Sequence, residues 1–125
     1  MNRAVTIALG LAAAVYAIPV SVSAQEAPPT YLADPGVYKV IFEDERFRVI
    51  LATWKPGEAD KPHSHPVPSV VYSLTNCTNK LTSADGQTRI AKSKAGEARA
   101  VPYTASHVAK NIGRSTCRVL FVEHK

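Results

Sequence analysis

The 125-residue chain contains one methionine, one tryptophan, two cysteines and six glycines, and each scarcity removes a class of function. The methionine is Met1, so a blue-copper site, which needs Cys and Met beside its histidines, has no ligand set. The glycines form no phosphate-cradling loop. No Gly-x-Ser-x-Gly elbow marks a serine hydrolase. There is no internal repeat and no low-complexity tract. Beyond the first residues no segment keeps the 3.6-residue apolar spacing of a helix. The length suits one domain of ordinary size. A composition 46% hydrophobic and 20% charged is that of a globular protein.

What is present falls into two unlike parts. Met1 to Arg3 make a short positive start, Ala4 to Ile18 are apolar, Pro19 breaks the run, and Val22-Ser23-Ala24 offers small residues to a peptidase. This is the pattern of a secretory signal peptide over residues 1–24, with cleavage after Ala24. The apolar run, about 15 residues, is short of the ~20 that span a bilayer. No cysteine stands directly after Ala24, so no lipid anchor is expected, and with the short apolar run no stable membrane anchor is expected after processing. The mature chain would be periplasmic or secreted, 101 residues from Gln25, and loss of Arg3 lowers the net charge from +5 to +4. Its basic residues, among them Lys39, Arg48, Arg89, Lys92 and Arg118, are scattered and mostly alternate with apolar ones. They read as solvated strand faces, which with export argues against nucleic acid as a partner.

Residues 25–36 read as a linker, with Pro28-Pro29 and the turn signal Asp34-Pro35-Gly36. From Val37 the periodicity is close to two. Runs at Val37–Phe42, Phe47–Thr53, Ser69–Thr75, Lys80–Ser83, Gln87–Ala91, Ser106–Ile112 and Thr116–Glu123 predict strands, the third of them buried on both faces. Asp85-Gly86 is a hairpin signal. Short strands with turns at this pitch predict an all-β sandwich or barrel.

The chemistry-bearing residues are histidines. His63 and His65 are two apart, so on a strand they face the same side and can offer two imidazoles to one ion. A third, His107, follows Gly96 and Pro102 and precedes Asn111. His124 has no comparable setting.

Gly57, His63 and His65 match G-x5-H-x-H, and Gly96, Pro102, His107 and Asn111 match G-x5-P-x-G-x2-H-x3-N at full spacing. In these residues the chain resembles the cupin superfamily from Phe47 to Glu123. It departs from the family pattern at three positions. Ser69 stands where the first motif has its glutamate ligand, and Asn76 and Thr104 stand where the motifs have glycine.

The resemblance implies a single cupin-type jelly-roll barrel, an antiparallel β-sandwich, over residues 37–125. It implies a divalent metal held by His63, His65 and His107, with Fe, Zn, Cu, Ni and Mn all open. Three neutral ligands leave the full charge on the ion, which favours an anion or a bidentate ligand. Three-histidine members of the superfamily include thiol and diketone-cleaving dioxygenases. The implied function is a dioxygenase-like or isomerase-like enzyme acting on a small organic molecule. The alternative is a non-catalytic cupin that binds a small ligand or a metal. Alternation from His107 and Ser69 gives Ser69, Val71, Ser73, Ala109 and Asn111 as cavity-lining candidates, with Trp54 and Tyr103 either at the mouth or ordinary core and rim aromatics. The reading also admits a homodimer. Outside the cytoplasm two cysteines favour pairing, and the jelly-roll strand order would make Cys77 and Cys117 neighbours.

Overall fold

The computed structural model describes residues 14–19 and 25–125, so most of the expected signal peptide, with its cleavage site at Ala24, lies outside the described residues. A single helical turn, α1 (Thr30–Ala33), precedes nine strands. These are β1 (Tyr38–Glu43), β2 (Phe47–Trp54), β3 (His63–His65), β4 (Ser69–Ser73), β5 (Cys77–Ser83), β6 (Thr88–Ser93), β7 (Ala98–Val101), β8 (Thr104–Asn111) and β9 (Cys117–His124). They form a five-stranded sheet in the order β1-β2-β9-β4-β7 and a four-stranded sheet in the order β3-β8-β5-β6. Every strand pairing is antiparallel. The core is the space between the sheets. Alternation on β2 turns Ile50, Ala52 and Trp54 inward, and alternation on β9 does the same for Cys117, Val119 and Phe121.

The Asp85-Gly86 turn joins β5 to β6. Gly86 has φ +83° and its N–H donates to Ser83 O at 2.9 Å, a left-handed position that favours glycine. Cys77 and Cys117 are disulfide-bonded with their Cα atoms 5.0 Å apart. Because Cys77 opens β5 and Cys117 opens β9, the bridge staples one sheet to the other.

Two expectations need correction. Ser69–Ser73 is not buried on both faces. Val70 and Tyr72 are exposed while Ser69, Val71 and Ser73 are buried, because this sheet covers the core with one side only. Residues 25–36 do not behave as a free linker. Ala27 N–H donates to Ala105 O, Ser64 N–H donates to Pro28 O, and Pro29 bridges Ser64 in parallel. Thr30 is buried, Tyr31 packs on the core, and the Arg48 guanidinium lies 4.3 Å from the Tyr31 ring centre.

Candidate metal centre

The shortest strand carries the site. β3 lies at the edge of its sheet, beside β8, and His63 pairs directly with His107. An edge strand of three residues would normally leave one face wet, yet His63, Ser64 and His65 are all buried. The N-terminal stretch explains this: Pro28 and Pro29 lie against Ser64 and cover the face that the histidines leave.

The three imidazoles converge. His107 Nε2 lies 2.8 Å from His63 Nε2 and 3.1 Å from His65 Nε2, and each ring offers a nitrogen within 4.8 Å of the others. His63 Nδ1 lies 2.9 Å from Lys61 O, which only an N–H can satisfy, so Nε2 is the nitrogen that a neutral ring would offer to the cluster. Burial, reinforced by the facing His63 and His107, lowers the His65 pKa to about 3. Burial, with His63 and Arg89, lowers that of His107 to about 4. Both rings are therefore neutral near pH 7. A divalent ion with bonds of ~2.0–2.1 Å spaces tetrahedral ligand atoms about 3.3 Å apart, close to the separations present. The donor set fits a metal.

A second group of residues, which the sequence did not disclose, holds the cluster in place. Asp60 is buried and accepts from Tyr38 Oη at 2.7 Å, Trp54 Nε1 at 3.0 Å and Ala109 N at 2.7 Å. Its Oδ1 lies 3.5 Å from His63 Nδ1. Burial pushes the Asp60 carboxyl up, opposed by His63 and by these donors. The Tyr38 phenol is pushed well above its ordinary range, first by burial and then by Asp60. Three residues separate Asp60 from His63, but nothing in the local pattern distinguishes this acid from a solvated one.

The histidines open into a cavity of about 270 Å³ between the sheets. Of the residues expected to line it, Val71 and Ala109 do. Ser69, Ser73 and Asn111 do not. Ser69 is 8% exposed and its hydroxyl has no partner. Ser73 Oγ donates to Ser93 Oγ at 2.8 Å, and Ser93 rather than Ser73 lines the cavity. Asn111 is spent on structure, its Nδ2 donating to Trp54 O and Ser115 O and its Oδ1 accepting from Gly113 N. Trp54 is buried and reaches the cavity, whereas Tyr103 is 66% exposed and does not line it. Glu123, in register with Ser69, turns its carboxylate to Arg48 at 3.1 Å. Among the described residues no carboxylate joins the three histidines. Arg89 and Arg99, the first of which had read as part of a solvated strand face, line the cavity instead. Alternation could have shown both, since Arg89 shares a face with Ala91, and Arg99 with Val101.

No protein-family model matches the chain, and no curated protein matches it. Solved structures do. A cupin domain from Bordetella pertussis superposes with a TM-score of 0.65 at 20% identity, covering 82% of this chain and 99% of that one. This chain has the cupin fold. A cupin-2 domain protein from Shewanella frigidimarina gives 0.50 at 18% identity over 72% and 81% of the two chains. Oxalate decarboxylase from Bacillus subtilis gives 0.53 at 24% identity, the match taking 70% of this chain and 25% of the larger enzyme. The cupin barrel places the histidines of β3 and β8 on the inner wall, facing the cavity.

Proposed function

We propose that the mature chain is an exported metal-binding cupin. In this reading a divalent ion held by His63, His65 and His107 makes it a metal-dependent, dioxygenase-like enzyme acting on a small organic molecule. The observation that carries the reading is the convergence of three imidazoles on one point of the cavity between the sheets. The leader at residues 1–24 and the disulfide both support a compartment outside the cytoplasm. Among the described residues no helix is long and apolar enough to cross a membrane.

When bound, such an ion supplies Lewis acidity and, if redox-active, electrons for oxygen chemistry. The chain's own contribution is positional. Lys61 O and Asp60 fix the His63 ring, burial keeps His65 and His107 unprotonated, and Val71, Val119 and Phe121 give the cavity wall its apolar part. One observation favours the second reading, a non-catalytic cupin that binds a ligand or metal. Among the described residues the cavity wall carries no carboxylate that could serve as a general base.

Metal analysis of mature protein from its native host, followed by oxygen uptake with thiols, diketones and phenols, tests both readings. Substrate-dependent uptake supports the enzyme. Metal without turnover leaves the binder. His63→Ala should lower metal content at least tenfold while the fold survives. Native protein devoid of metal, with no uptake after reconstitution, overturns the enzyme.

A further inference from the structure

The cavity has a polarity that the metal centre does not require. Arg89 sits on β6 opposite Leu81, and Arg99 sits on β7 opposite Val71. Both opposing residues line the cavity, so alternation turns the two arginines toward it from different sheets. Both are exposed, which places them at the mouth. Among the described residues neither has a carboxylate partner. Arg99 has one long hydrogen bond, from Nη1 to Lys92 O at 3.5 Å, and Arg89 has none, whereas Arg48 is held by Glu43 and Glu123. No aspartate or glutamate lines the cavity to neutralise them. Two unpaired guanidiniums at the mouth of a chamber whose wall includes Val71, Leu81, Val119 and Phe121 form a site for an anion with an apolar body.

We propose that the ligand is a small organic carboxylate, its head group held between Arg89 and Arg99 and its body directed toward His63, His65 and His107. At about 270 Å³ the chamber lies below the ~300–1,000 Å³ of pockets that take drug-sized molecules, which limits the ligand to a short acid. The assignment deepens the metal-centre reading and rests on it for the direction of the body. The arginine contacts do not depend on the ion.

Trp54, the only tryptophan, lines the cavity, so its fluorescence reports occupancy directly. The probes are acetate to octanoate and benzoate, each paired with its neutral amide, with inorganic phosphate as a further arm, all titrated into the mature protein. At least one carboxylate should saturate the signal and bind tenfold or more tightly than its amide. Arg89→Gln and Arg99→Gln, both at exposed positions that leave circular dichroism unchanged, should each weaken it at least tenfold, and Arg→Lys should restore part of the loss. Amides binding as well as acids, wild-type affinity in both glutamine variants, or phosphate binding as tightly as every carboxylate would overturn the proposal. Loss of carboxylate binding with normal metal content would fault this proposal alone. Normal metal content in His63→Ala would fault the metal centre alone.

Discussion

Asp60 shows how much one buried acid can organise. Its two oxygens receive a phenol, an indole and a backbone amide, and one faces His63. Asp60→Asn replaces an acceptor by an amide whose NH2 must face donors. The expected loss is about 2–4 kcal/mol, read from the urea midpoint. His65 and His107 make a second prediction at this scale. Their folded pKa values of about 3 and about 4 lie below the ordinary 6.5. As pH falls below 6.5 the unfolded chain takes up protons first, so the stability of the metal-free protein is complete above that value and declines toward pH 4. Asp60 and Glu123, both raised, act in the opposite sense nearer the carboxylate range. The drop in melting temperature from pH 7 to pH 5 should therefore be smaller in His65→Gln than in the wild type. An equal drop would mean that other groups carry the dependence.

At the scale of elements, the β5–β6 hairpin depends on one backbone conformation. A Cβ built on Gly86 meets nothing within 4 Å, so the cost of substitution there comes from φ +83° alone. Gly86→Val should lose about 1–2 kcal/mol in a denaturant melt. β3 is the contrasting element. Three residues cannot hold a strand by propensity, and it forms because β8 pairs with one side while the 27–31 stretch closes the other. The alternation that placed His63 and His65 together was readable from the sequence. The packing of the proline-rich segment was not, because its composition is that of a turn and its partners are about 35 to 80 positions away.

For the whole molecule, the two sheets are held by a one-sided core and by the bridge between Cys77 and Cys117, 40 positions apart. Closing a loop of that length stabilises by ~4 kcal/mol in the chain-entropy model. Cys77→Ser with Cys117→Ser should lower the unfolding free energy by about that amount in a reversible denaturant titration. A change below ~1 kcal/mol would show that the reduced chain keeps the same restriction.

Local rules carried a good part of this protein. Period-two alternation gave seven of the nine strands to within a few residues, turn chemistry gave the Asp85-Gly86 hairpin, and motif spacing singled out His63, His65 and His107. Each depends on neighbours close in sequence. The tertiary structure decided everything that depends on distant neighbours. Ser69, Ser73 and Asn111 were placed on the cavity wall by parity alone, but parity says which side a residue faces and not how far along the barrel it sits. Burial of Asp60 required Tyr38, Trp54 and Ala109 to meet around it. Arg89 and Arg99 became one feature only when two sheets brought them to the same opening, because charge acts through space and not along the chain.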